Sequence, residues 1–152
     1  MIDPLTPYDP GSRQVLRGAA GGTVLDGLTL PLQPCRAVED GSRAALWLGP
    51  SEWLLLGLEA PSTEFALVDV TDRQIGFRLV GAGAATLLAF GVPLDLAEAA
   101  FPIGMCTRTL FEKVEITLWR RGADSWHIEV FRSFTPYLCE MIDVISAANR
   151  LA

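Results

Sequence analysis

The sequence implies an α+β domain, an antiparallel or mixed sheet with helices packed on one face. Three patterns carry that reading. Residues 44–48 and 53–58 are apolar runs on either side of Gly49-Pro50-Ser51-Glu52, turn chemistry between strand chemistry, as in a β-hairpin. After the turn Arg121-Gly122-Ala123-Asp124, Trp126, Ile128 and Val130 alternate with His127, Glu129 and Phe131, so one face points inward. From Thr135 the period becomes helical. Thr135 is placed to cap the helix and Pro136 to open it, with Leu138, Met141, Ile142 and Ile145 on one face and Glu140, Asp143 and Arg150 on the other.

The other elements follow from the N-terminus. Residues 1–25 hold Pro4, Pro7, Pro10 and the Gly18 to Gly22 cluster without a sustained period, which predicts an irregular arm, free to order on a partner. Residues 26–152 then form a single domain. Residues 28–37 read as a strand confined to a sheet edge by Pro31 and Pro34. Past Pro61, residues 65–70 read as a strand closed by Thr71-Asp72-Arg73, and residues 76–80 as another. The stretch from Ala82 turns helical through Leu87, Leu88 and Phe90 until Gly91 and Pro93 stop it. Asp95 can cap a second short helix over 96–101, ended by Pro102. Residues 106–120 are strand-like, Val114, Ile116 and Leu118 alternating with Lys113, Glu115 and Thr117, and a bend at Glu112-Lys113 is left open.

Composition narrows the function. At 152 residues the chain has the length of one domain, and with half its residues apolar it holds more than enough for one core. A net charge of -6 repels phosphate backbones, and the arginines form no stripe, so nucleic acid is not an expected ligand. Apolar runs such as 54–58 and 80–90 fall short of the ~20 residues that span a bilayer, so no membrane partner is expected. The N-terminus carries Asp3 and Pro4 where a secretory signal would be basic and then apolar. Cys35, Cys106 and Cys139 are odd in number and lack metal-ligand spacing, which fits a reducing, cytoplasmic setting.

Candidate chemistry is sparse. Gly81-Ala82-Gly83 has the outline of a dinucleotide loop, but the third small position is Thr86 and the helix after it is short, so a tight strand-to-helix turn is the better account. His127, the only histidine, is expected exposed on the strand face opposite Trp126 and Ile128, without the ligands or nucleophile that metal or triad chemistry needs. Asp69 and Asp72 fit a turn-capping role better than an acid and base pair, and Cys106 and Cys139 read as packed thiols. No residue set here carries a demanding reaction alone.

Four stretches in order do carry a resemblance: Leu48-Gly49-Pro50-Ser51-Glu52-Trp53-Leu54-Leu55, Val68-Asp69-Val70-Thr71-Asp72, Phe101-Pro102-Ile103-Gly104-Met105-Cys106, and Arg132-Ser133-Phe134. Over residues 46–145 the chain resembles the gamma subunit of heterotetrameric sarcosine oxidase. Residues 68–142 also look like the folate-binding domain of aminomethyltransferases, with Gly81-Ala82-Gly83-Ala84-Ala85 and Asp95-Leu96 in the places of its G-x-x-A helix and D-L loop. The resemblance implies an aminomethyltransferase folate-binding-domain-like fold. It also implies a structural, non-catalytic subunit of a bacterial flavoenzyme that oxidatively demethylates sarcosine to glycine and passes the one-carbon unit to tetrahydrofolate. Alpha, beta and delta subunits are then the partners. Flavins, NAD, tetrahydrofolate and zinc are expected on those partners, with none in this chain. The tryptophan-rich hairpin becomes a candidate subunit interface through Trp47, Pro50 and Trp53, joined by Phe131 and Arg132. The alternative is a stand-alone tetrahydrofolate-binding module. Family members usually carry a longer helical insert where this chain has only residues 59–65.

Overall fold

A computed structural model describes residues 5–150. In chain order the elements are β1 (Thr6–Pro7), β2 (Arg13–Arg17), β3 (Val24–Leu25), β4 (Leu28–Thr29), β5 (Ala37–Asp40), β6 (Arg43–Gly49), β7 (Glu52–Leu56), β8 (Ala66–Asp69) and β9 (Gln74–Val80). Helix α1 (Ala84–Ala89) follows, then β10 (Cys106–Phe111), β11 (Val114–Gly122), β12 (Ser125–Phe131) and α2 (Thr135–Arg150), the last entered through one 3-10 turn, Arg132–Phe134. The α+β class holds. The sheet architecture is richer than one sheet, for β5-β6-β7-β2-β8 and β1-β9-β12-β11-β10 form two five-stranded sheets and β3-β4 a two-stranded ribbon. Every strand pairing is antiparallel.

Three apolar layers hold these pieces. Helices α1 and α2 lay Leu87, Leu88, Leu138 and Ile142 on the face of the second sheet formed by Phe77, Leu79, Ile116, Leu118, Ile128 and Val130. Its other face meets the first sheet through Val15, Leu46, Leu54, Leu56, Cys106 and Trp119. The outer face of the first sheet, Leu16, Ala45, Trp53 and Leu55, is covered by Ala19, Leu25, Leu28 and Leu30 from the segment carrying β3 and β4. The helices therefore sit on one face of one sheet, as the sequence implies.

The double burial of the first sheet explains the near-continuous apolar hairpin. A strand with one wet face alternates, whereas β7 sends Trp53 and Leu55 outward to the cover and Leu54 and Leu56 inward to the second sheet. β6 and β7 pair as expected around Pro50 and Ser51, Trp47 opposite Trp53. Trp53 itself is 1% exposed and its Nε1–H donates to the Ala19 carbonyl at 3.0 Å. It cannot meet a partner subunit, and its expected place at an interface is corrected on that ground.

Other corrections concern the N-terminal third. Residues 1–4 lie outside the described residues, but the rest of the expected arm is structured. β2 runs between β7 and β8, with Val15 and Leu16 buried, and residues 18–30 lid the sheet rather than await a partner. The domain thus begins well before residue 26. The edge strand expected over 28–37 divides, Leu28–Thr29 pairing with β3 and Ala37–Asp40 with β6, with Pro31 and Pro34 in the loop between. Residues 96–101 make one turn rather than a helix. Asp95 Oδ1 accepts the Ala97 N–H at 2.9 Å, and Arg120 Nη1 takes the Phe101 carbonyl at 2.9 Å. The open question at Glu112-Lys113 resolves as a hairpin, Phe111 opposite Val114, with Glu112 at a φ of 53°. Thr135 is helical (φ -55°, ψ -46°) rather than capping, because the 3-10 turn precedes it.

Trp53→Ala is expected to cost about 3–5 kcal/mol, the range for emptying a buried aromatic site. Pro50→Ala, at the exposed turn of the same hairpin, is expected to change stability by less than about 1 kcal/mol. Urea unfolding midpoints of the two variants compare them directly.

Candidate functional site

Between the sheets, on the β1 side, the apolar layer gives way to charge. β2 presents Arg13 and β12 presents Glu129 and His127, all buried. Arg13 Nε–H donates to Glu129 Oε2 at 2.7 Å, and His127 Nε2 meets Glu129 Oε1 at 2.7 Å. Among the described residues His127 Nδ1 has no hydrogen-bond partner, and a carboxylate paired with arginine only accepts, so Nε2 carries the ring proton. The Tyr8 ring stands edge-on to His127 with centroids 5.4 Å apart, and the Arg78 guanidinium lies 3.6 Å above the Tyr8 centroid. Gly76 makes room for the cluster. A Cβ there would fall 2.5 Å from the Tyr8 carbonyl oxygen and 2.7 Å from Glu129 Oε1.

His127 does lie on the face opposite Trp126 and Ile128. Its expected exposure is wrong, since the first sheet covers that face and leaves it 0% exposed. Glu129 accepts from this chain's own donors on both oxygens, so the trio clasps the two sheets together. Sequence reasoning missed Arg13 and Glu129. Alternation on a strand shows which side chains share a face but not whether a second sheet covers it.

A cleft of about 360 Å³ opens beside the clasp, bounded by Tyr8, Asp9, Arg13, Thr71, Gln74 and Arg132 among others. Arg13 is committed to Glu129, and Arg132 Nε–H donates to the Asp72 carbonyl at 2.9 Å. What the cleft offers outward is the remaining guanidinium of Arg132 and exposed Asp9 and Asp72. Asp69 caps its turn, accepting the Thr71 N–H at 2.9 Å, and the Thr71 hydrogen bonds hold its carboxyl below the usual range. This is the turn role expected of it.

The thiols are packed. Burial between the sheets pushes Cys106 up to about 12, and its S–H donates to the Trp47 carbonyl at 3.6 Å. Burial likewise raises Cys139. Among the described residues no group of three or more His, Cys, Asp or Glu side chains could hold a metal ion. The Gly81-Ala82-Gly83 turn leads into a six-residue helix with no side-chain cap, consistent with a strand-to-helix turn. No helix of the described residues is long and apolar enough to cross a membrane.

The five residues expected at an interface fall in two places. Trp47 is half-buried and Pro50 exposed on the first-sheet hairpin, with Trp53 removed as above. Phe131 and Arg132 lie where β12 leaves the second sheet, where Phe131 stacks on exposed Phe134 with centroids 6.5 Å apart and Arg73 sits 5.0 Å from the Phe131 ring.

Fold and site together define a layered α+β packing module whose central charges are closed on themselves. The chain belongs to the sarcosine oxidase, gamma subunit family, whose model matches residues 17–148. It is similar to the sarcosine oxidase subunit gamma of Corynebacterium sp. (strain U-96), 31% identical over 150 residues that cover 90% of this chain and 71% of that protein. The corresponding subunit of Corynebacterium sp. (strain P-1) is 30% identical over 115 residues, 68% of this chain and 57% of its own length. The fold matches a chain in the structure of heterotetrameric sarcosine oxidase from Corynebacterium sp. U-96 in complex with pyrrole 2-carboxylate, with a TM-score of 0.83, 26% identity, and coverage of 96% of this chain and 84% of that one.

Glu129→Ala leaves Arg13 buried without its counter-charge and is expected to cost about 3–5 kcal/mol. Arg13→Met combined with Glu129→Gln removes both charges and is expected to recover most of that loss in urea unfolding. A cost under about 1 kcal/mol for the single variant would show that the clasp is not structural.

Cys106 gives a pH dependence. Below 9.0, its ordinary value, the thiol is protonated in both folded and unfolded chains. Above it the unfolded chain releases the proton while the folded chain holds it to about 12, so stability falls as pH rises through that window. The slope from this group is about 1.4 kcal/mol per pH unit. Cys106→Ala should show a correspondingly shallower loss between pH 9 and 11 in urea midpoints.

Proposed function

We propose that this chain is the structural, non-catalytic subunit of a heterotetrameric sarcosine oxidase, an assembly that oxidatively demethylates sarcosine to glycine with transfer of the one-carbon unit to tetrahydrofolate. Alpha, beta and delta subunits are its partners in a bacterial cytoplasm. Flavins, NAD, tetrahydrofolate and zinc reside on those partners. The observation that carries the reading is the likeness of fold over 96% of this chain to a chain of a heterotetrameric sarcosine oxidase. The internal closure of His127 and Glu129 supports a role in shape rather than chemistry. Trp47, Pro50, Phe131 and Arg132 supply contact area on the surface that meets the partners.

Co-expression with alpha, beta and delta chains, followed by size exclusion, is expected to give one stoichiometric, flavin-coloured assembly, and this chain alone a colourless protein. Elution apart from the flavin-bearing chains would overturn the reading. Calorimetric titration with tetrahydrofolate addresses the stand-alone module, which requires binding tighter than ~100 μM, about -5.5 kcal/mol, by the isolated chain.

A further inference from the structure

Cys35 and Cys106 are joined backbone to backbone where the cover over the first sheet meets the second sheet. The cover ends in a turn at Pro34 and Cys35, and the next residue, Arg36, forms an antiparallel bridge with Met105. Two backbone hydrogen bonds flank that bridge. The Ala37 N–H donates to the Gly104 carbonyl at 2.8 Å, and the Cys106 N–H to the Cys35 carbonyl at 3.0 Å. The second of these bonds joins the backbones of Cys35 and Cys106 directly. A backbone bond of this kind brings two Cα atoms to about 5–6 Å, inside the roughly 4.4–6.8 Å that a disulfide spans.

Both thiols are free, and Cys35 lies near enough to contribute to the raised value of Cys106. Cys35 is half-exposed and holds a φ of 56°, in the left-handed region that glycine or asparagine adopts with less strain. What cysteine adds at that turn is its sulfur. Cys139, on α2, lies across the second sheet from Cys106 and outside the pair.

We propose that Cys35 and Cys106 form a reversible disulfide, a modification site at which a hydroperoxide fastens the cover to the second sheet. Cys35, the accessible sulfur, attacks the O–O bond of hydrogen peroxide; the bond breaks, water leaves, and Cys35 becomes a sulfenic acid. Cys106 then attacks that sulfur. An S–S bond forms, the S–O bond breaks, and the thiol proton leaves with the hydroxyl as a second water. Two thiols and one peroxide give one disulfide and two waters, the sulfurs losing the two electrons that the peroxide oxygens gain. Cys106, 0% exposed, is out of reach of the peroxide and takes the second step once Cys35 is oxidised. An amine oxidase that reduces oxygen by two electrons releases hydrogen peroxide. That supply rests on the proposed function, whereas the pairing does not.

The full-length chain, reduced and then treated with hydrogen peroxide under native conditions, is alkylated, digested and read by peptide mass spectrometry without reductant. The expected result is an intramolecular Cys35–Cys106 cross-link, lighter by two hydrogens, reversed by dithiothreitol and retained in Cys139→Ser. Cys35→Gly suits the left-handed turn, folds, and gives no cross-link. Oxidation should also raise the urea midpoint of the wild-type chain and leave that of Cys35→Gly unchanged. Conversion of Cys35 to sulfinic acid with Cys106 still reduced, a cross-link only between molecules, or one only in urea overturns the proposal. Because the peroxide is added, these outcomes judge the pair by itself, and failure of co-elution judges the proposed function by itself.

Discussion

The contact between the two sheets sets the terms for everything else in this chain. One side of that contact is apolar, Leu46, Leu54 and Leu56 against Trp119, and tolerates sliding because its interactions are non-directional. The other side is not. Glu129 lies in β12, Arg13 in β2, and the 2.7 Å bond between them fixes the distance and lateral position of one sheet on the other. A charge sealed from water must be met by its partner in good geometry, so a stacking that parts Glu129 from Arg13 leaves a buried charge unpaired. Gly76 follows from this constraint, since any Cβ there would collide with Glu129 and the Tyr8 carbonyl.

Once the first sheet lies against the second, its outer face needs a cover of its own. Trp53, Leu55 and Leu16 would otherwise form a wide apolar surface, and the segment carrying β3 and β4 supplies the lid. Its glycines serve close approach as well as turning. At Gly21 a Cβ would lie 2.6 Å from the Pro31 carbonyl, so the two limbs of the lid touch there backbone to backbone. A Gly-rich, Pro-rich stretch without periodicity can thus be an ordered lid, its order coming from the sheet beneath it.

This is where sequence reading reached its limit. Local signals were legible: the hairpin around Pro50 and Ser51, the β11–β12 hairpin, the C-terminal helix and the turn role of Asp69 all follow from neighbours in the chain. What depends on a second layer was not. His127 and Glu129 occupy the face that a single sheet would leave wet, and nothing within their strand marks the sheet arriving over them. Arg13-Gln14-Val15-Leu16-Arg17 shows no polar alternation because Arg13 and Gln14 are themselves buried. The family motifs escaped this limit because their spacing records the whole fold rather than one strand.

The same layering revises what an apolar-rich composition means. Half of the residues are hydrophobic, an excess over an ordinary domain. Three stacked apolar layers absorb much of it, and Trp53, the hairpin's most attractive anchor, is spent on the lid. Single exposed residues such as Leu32 and Val144 are ordinary for a folded surface. Where β12 ends, surface chemistry is of another kind. Phe131 and Phe134 stack, Arg73 lies over the ring, and Arg132 keeps the outer nitrogens of its guanidinium free beside the cleft. Aromatic rings and arginine gathered at one largely exposed place are the composition that protein interfaces favour. Of the five residues expected to meet a partner, Phe131 and Arg132 therefore carry the stronger physical case, and the hairpin that drew attention in the sequence owes its tryptophans first to its own core.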